Sequence, residues 1–294
     1  MKWIDYEAPK SLGEALNLLS QHGDRARPMA GGTDILVQLR AGARDPDLLV
    51  DVKGIPELNE ISYSPSSGLT LGSAVECYKV YGNSEISNAY PGLIDSASII
   101  GGTQIQGRAS IGGNLCNAAP SGDAIPALIA LGATAQIASS GGTREVPVEE
   151  FCTAPGRTVV QPNELVVSIH LPAPVPNSGA RYIRFIPRNE MDIAVVGAGV
   201  SVVLDNGNIK SARVALASVA PTPLFVKEAG DALAGKPATD ESIRVASQLA
   251  SDAATPITDM RGTIEFRKHL CEVLTRRALH AAIERAKGVK IDAI

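Results

Sequence analysis

Two short stretches hold the residues best suited to grip a ligand. In "MAGGTDILVQLRAG" (Met29–Gly42), Gly31-Gly32 is followed by Thr33, Asp34 and Ile35. In "ASIGGNLCNAAPSGD" (Ala109–Asp123), Gly112-Gly113 is flanked by Ser110 and Asn114. A glycine pair lets the backbone approach a ligand closely because no Cβ intervenes. The exposed N–H groups of such loops suit phosphate oxygens. Two loops about eighty residues apart could clamp the two phosphates of a pyrophosphate. Asp123, at the edge of the next helix, could accept from ribose hydroxyls. A plainer reading makes each Gly-Gly a turn and Asp123 a helix N-cap. Neither loop is G-x-G-x-x-G and no GK[ST] occurs, so Rossmann and P-loop mechanisms do not apply. A dinucleotide binder and a pair of structural turns both fit.

Other reactive residues are scattered. Cys77, Cys116, Cys152 and Cys271 lack the short spacings of zinc or iron–sulfur ligands and read as buried or half-buried thiols. His22, His170, His269 and His280 form neither an i, i+4 pair nor a triad. A reaction here would fall to a bound cofactor. Over 294 residues, 45% hydrophobic and 20% charged composition is that of a globular protein. A net charge of −4 gives no electrostatic footprint for nucleic acid, and no Lys/Arg run suggests a membrane surface. The N-terminus lacks an apolar secretory core, and the longest nearly apolar stretch, Ile193–Leu204, is too short to cross a bilayer. The expectation is a cytoplasmic protein without membrane insertion.

The elements that must position the loops read as follows. "SLGEALNLLSQHG" is a helix with a Ser11/Glu14 capping box, Leu12, Leu16 and Leu19 on one face and Gly23 at its end. "RPMA" is extended, "GGT" a tight loop, "DILVQLRAG" a helix closed by Gly42, and "LLVDV" a strand. "GLTLGSAV" is a strand opened by Gly68 in a surface turn. "AIPALIALG" is a short helix stopped by Gly132, and "ATAQIAS" and "ELVVSIHLP" are strands. Three prolines in "PAPVPNSG" mark a boundary. "AVVGAGVSVVLDNGNIKSARVALASV" is a hairpin turning at Asn206-Gly207. The last helix, about 263–286, carries Phe266, Leu270, Val273, Leu274 and Ala278 on one stripe.

The two loops, with the continuation "GRASIGGNLCNAAPSGDAIPALIALGA", resemble the FAD-binding (medium) subunit of molybdenum-containing hydroxylases, the xanthine dehydrogenase and carbon monoxide dehydrogenase family. "VAPTPLFVKEAGDAL" and "EFRKHLCEVLTRRAL" resemble that family's C-terminal flavoprotein domain, so the likeness covers nearly the whole chain. It implies an α+β protein: a PCMH-type FAD-binding fold in two α/β subdomains (1–54 and 55–175), then a domain with a small antiparallel sheet and a helical bundle (176–294). By motif, Met29, Ala30, Gly31, Gly32, Thr33, Asp34 and Ile35 would wrap the pyrophosphate. Ser110, Ile111, Gly112, Gly113 and Asn114 would form the second wall, and Asp123 would contact the adenosine half. Ile100 falls at a flavin-side position that is aromatic in some members, Val166 where a leucine lies against the ring, and Arg184 where a lysine often sits. Cys116 would pack near the flavin loop. The clustered cysteines of the aryl-CoA reductase branch are missing.

The resemblance implies FAD on this chain, with the molybdenum cofactor on a large subunit and [2Fe-2S] clusters on a small one, in a dimer of heterotrimers. Electrons would pass from the clusters to FAD and on to an external acceptor. Two rival readings are a self-sufficient flavoenzyme resembling UDP-N-acetylenolpyruvoylglucosamine reductase and a non-catalytic dinucleotide-binding module.

Overall fold

The computed structural model describes residues 2–292, and three main sheets follow one another along the chain. The first has three parallel strands ordered β1-β3-β2: β1 (Asp5–Glu7), β2 (Ala26–Met29) and β3 (Leu48–Asp51). Helix α1 (Leu12–His22) links β1 to β2, and α2 (Ile35–Arg40) links β2 to β3. The capping box at α1 forms, with the Ser11 hydroxyl accepting from the Glu14 N–H and the Glu14 carboxylate from the Ser11 N–H. Ala15, Leu16 and Leu19 bury their side chains against Leu48 and Val50. Gly42 ends α2 region with φ +69°, a conformation that favours glycine.

The second sheet is antiparallel, ordered β4-β5-β10-β6-β7. Strands β4 (Ile61–Ser64) and β5 (Gly68–Gly72) precede a helical run: α3 (Cys77–Tyr81), α4 (Ser84–Ala89), α5 (Pro91–Ala97), α6 (Thr103–Gln106), α7 (Ile111–Asn117) and α8 (Ala124–Ala130). Then come β6 (Thr134–Ser139), β7 (Gly142–Pro147), the small ribbon β8 (Cys152–Ala154) with β9 (Arg157–Thr158), and central β10 (Leu165–Leu171). The expected strand at 68–75 stops at Gly72. Gly68 is no surface turn. It is buried at φ +90°, and a Cβ there would lie 2.1 Å from the Leu171 carbonyl oxygen, because the β4–β5 hairpin folds onto the end of β10.

The third sheet is antiparallel, ordered β11-β12-β13-β14: β11 (Ser178–Phe185), β12 (Val196–Asp205), β13 (Asn208–Ala217) and β14 (Leu224–Phe225). Positive φ at Asn206 and Gly207 (50° and 83°) makes the tight turn that joins β12 to β13. Helices α9 (Lys227–Leu233), α10 (Asp240–Ala253) and α11 (Ile264–Ala286) follow. Alternation along β12 assigns its faces. Ala198, Val200 and Val202 join the core under these helices. Gly197, Gly199 and Ser201 face the other way, and a Cβ on Gly199 would stand 2.6 Å from the Pro126 carbonyl of α8. The strand reads as continuously apolar because both faces are covered. Every residue of α8 is buried between the second and third sheets. The α11 stripe differs from expectation: Leu270, Leu274 and Ala278 are buried, but Phe266 is 40% exposed and meets Phe185 edge-on. Arg267 is buried in its stead, donating to the Val195 and Ser218 carbonyls.

Candidate cofactor-binding site

The two glycine loops meet. Gly31 lies flat against the chain leading into the second loop: a Cβ on it would sit 1.9 Å from the Arg108 carbonyl oxygen. Gly32 adopts φ +80°. On the other side, a Cβ on Gly112 would lie 2.4 Å from the Ser73 carbonyl oxygen, so that glycine lets α7 rest on the end of β5. Ser73 in turn donates its hydroxyl to the Val166 carbonyl at 2.6 Å, tying the second loop to β10. Gly113 has no comparable packing reason, since its Cβ would meet only the Ser110 hydroxyl, at 2.9 Å.

What the loops present is mostly main chain. Among the described residues, the N–H groups of Gly31, Gly32, Thr33, Asp34 and Ile35 have no acceptor, nor does that of Gly112. The Ser110 hydroxyl caps α7 by accepting from the Gly113 N–H at 2.9 Å. A row of unsatisfied donors on the first loop, with the Gly112 N–H of the second beside their crossing, fits a diphosphate. The side chains of Met29 and Ile111 point into the core, so any part they play is through the backbone. Asp34 is exposed, and its carboxylate accepts no hydrogen bond from the described residues.

Asp123 does not act as an N-cap. Its backbone is already helical and its side chain makes no capping bond; Asn114 does that work, accepting from the Ala124 N–H at 3.1 Å. The Asp123 carboxylate instead crosses the seam to β11, accepting from Tyr182 Oη at 2.8 Å and Arg184 Nη1 at 2.6 Å. Tyr182 and Arg184 are two apart on a strand and therefore share a face. That spacing is the signal by which Tyr182 could have been found. The pairing also holds Asp123 and Arg184 side by side, so they cannot serve opposite ends of an extended dinucleotide. Ile100 and Val166 belong to one core with Ile111 and α8. The connection from β11 to β12 returns to this end, where the Met191 N–H donates to Gly101. Cys116 departs from expectation: on α7 it is exposed, not packed.

Burial pushes the Asp123 carboxyl up to about 6, against the opposing pull of Arg184 and Tyr182. The folded form then holds a proton that the unfolded chain has already lost. This group's stabilising contribution is full below about pH 4 and disappears as pH rises through about 6. Relative to Asp123→Asn, the wild type should therefore gain stability on going from pH 7 to pH 4, on the order of 2–3 kcal/mol. Urea unfolding of both proteins at the two pH values checks this; a constant difference between them would refute it.

Comparison with known proteins decides the family. The profile described as "FAD binding domain in molybdopterin dehydrogenase" matches residues 2–174, and that of "CO dehydrogenase flavoprotein C-terminal domain" matches residues 181–282. The chain belongs to the FAD-binding subunits of the molybdopterin dehydrogenases. It is 31% identical over 287 residues to the xanthine dehydrogenase FAD-binding subunit of Escherichia coli O157:H7, covering 97% of this chain and 98% of that one. It is 31% identical over 290 residues to the carbon monoxide dehydrogenase medium chain of Afipia carboxidovorans, with 97% and 98% covered. Among solved structures, reconstituted CO dehydrogenase from Oligotropha carboxidovorans superposes with a TM-score of 0.93 at 30% identity, over 97% of this chain and 99% of that one. Quinoline 2-oxidoreductase from Pseudomonas putida 86 gives 0.90 at 28% identity, with 97% and 99% covered. Members of this family are FAD-binding subunits of oxidoreductases. Among the described residues no helix is long and apolar enough to cross a membrane.

Proposed function

We propose that this chain is the flavin station of a molybdenum hydroxylase. The observation that carries the reading is the meeting of two glycine loops, the first of which leaves a run of N–H groups without an acceptor. FAD bound there would supply the redox chemistry, taking electrons from [2Fe-2S] clusters of a small subunit and giving them to an external acceptor. Substrate would be hydroxylated at the molybdenum cofactor of a large subunit. The loops at Met29–Ile35 and Ser110–Asn114 hold the pyrophosphate from its two sides. Asp123, which contacts the adenosine half, is fixed to Arg184 across the seam, and Ile100 and Val166 lie on the flavin side. The Met191 contact brings the β11–β12 connection to Gly101, beside Ile100. The protein's own residues orient the cofactor, and no side chain here need transfer a proton. The assembly is a dimer of heterotrimers with the large and small subunits, in the cytoplasm.

Neither glycine loop offers a histidine, and its one cysteine, Cys116, lies past the glycines in α7, so the flavin should be held without a covalent bond. Acid precipitation of the purified complex should leave FAD in the supernatant. Colour retained in the pellet, or FMN in place of FAD, would overturn the reading of the site. The subunit reading is checked by turnover: the chain alone should hydroxylate no purine, aldehyde or N-heterocycle, and co-expression of all three subunits should restore the reaction. Hydroxylation by the chain alone at the rate of the complex would refute it.

A further inference from the structure

The two loops contribute neutral dipoles, whereas a pyrophosphate carries net negative charge, so the clamp as described lacks a cation. Arg108 stands where one is needed. Its main chain is the surface against which Gly31 packs, and its Nε donates to the Gly31 carbonyl at 3.4 Å. The guanidinium is thereby held at the crossing of the two loops, two residues before Ser110, and it is exposed. Among the described residues no carboxylate lies within ion-pair distance of it. The acids nearby have other partners: Glu76 is bound by Lys79 at 2.7 Å, and Asp51 by Lys53 at 2.6 Å and by the Tyr6 hydroxyl. The amino groups of Lys53 and Lys79 are engaged by those acids, whereas Arg108 makes no ion pair among the described residues.

We propose that Arg108 is a binding residue for the FAD pyrophosphate, supplying the positive charge that the glycine loops lack. This rests on the flavin-site reading above. A guanidinium offers a fork of N–H donors matched to phosphate oxygens, and such charge-assisted bonds are stronger than the neutral N–H contacts beside them. The bond to the Gly31 carbonyl restrains the side chain before the cofactor arrives, so less freedom is lost on binding.

The test uses the complex stripped of FAD and titrated with FAD across a series of NaCl concentrations. Arg108→Gln should weaken FAD binding about 10- to 100-fold. It should also flatten the dependence of affinity on salt, while the melting temperature of the FAD-free protein stays unchanged. Arg108→Lys should recover part of the loss. An unchanged affinity in Arg108→Gln would overturn the proposal, as would a weakened affinity with an unaltered salt dependence or a lowered FAD-free melting temperature, since either marks Arg108 as only a brace for the loop. If the wild-type complex takes up no FAD, the flavin-site reading itself fails; if it does and Arg108→Gln binds equally well, only the role of Arg108 fails.

Discussion

Replacing Asp95 with alanine should lower the stability of the folded chain by about 3–5 kcal/mol, the largest loss expected from any single side chain. Asp95, on α5, is 3% exposed and accepts four hydrogen bonds. Arg285 approaches through Nη1 at 2.6 Å and Nη2 at 2.9 Å, Arg181 through Nη1 at 3.1 Å, and the Tyr182 N–H at 3.1 Å. These donors come from α11 and β11, so one carboxylate joins the FAD-binding half to the C-terminal half. Deleting it strands two buried guanidinium groups with no anion, and neither can shed its proton. Remaining support comes from main-chain carbonyls: Arg285 also donates to Ala180 and Ile291, and Arg181 to Asp292. Urea unfolding measures the loss, and Asp95→Asn should fall between the two because it keeps one acceptor oxygen. A cost below about 1 kcal/mol for the alanine variant would show that the network does not hold the seam.

Gly31→Val should abolish practical FAD retention, weakening affinity on the order of 100-fold or more. The added Cβ would press on the Arg108 carbonyl oxygen at 1.9 Å and its carbon at 2.5 Å, and both are backbone atoms that no rotamer change can move aside. The loops must part, and a ligand that needs both cannot span them. Gly68 cannot serve as the control, since its Cβ would collide with backbone at 2.1 Å. Gly13 can: it lies on α1 with nothing within 4 Å of an added Cβ. The FAD content and FAD-free melting temperature of Gly31→Val and Gly13→Ala, measured together, separate loss of the site from loss of the fold. Wild-type FAD affinity in Gly31→Val would sink the two-loop clamp.

The parts of this molecule that could be read from the sequence are those set by short-range rules. The Ser11/Glu14 capping box, the Asn206-Gly207 turn and the glycine ends of α2 and α8 each depend on a few neighbouring residues. What escaped reading depends on what packs from afar. Gly68 looks like any turn glycine until β10 lies across it, and the packing of Gly112 on Ser73 is invisible in the second loop alone. Asp123 stands at a helix start, where an N-cap is the reasonable expectation, but Asn114 reaches that N–H from ten residues back. Its true partners, Tyr182 and Arg184, are about sixty residues away. Of the glycines in the two pairs, only Gly113 lacks a conformational or backbone-packing reason.

The glycine face of β12 has a consequence for how such chains can be recombined. Gly199 exists because Pro126 of α8 passes 2.6 Å from where its Cβ would be. Ser201 donates its hydroxyl to Ala130, and Arg213 of β13 its Nε to Ile129. Ala215 completes a core that otherwise belongs to the FAD-binding half. A hybrid that takes its first 175 residues from one relative and the remainder from another would therefore have to inherit both sides of this contact together. A cut at the proline-rich boundary is simple in the gene, but in the protein it runs through a shared interior.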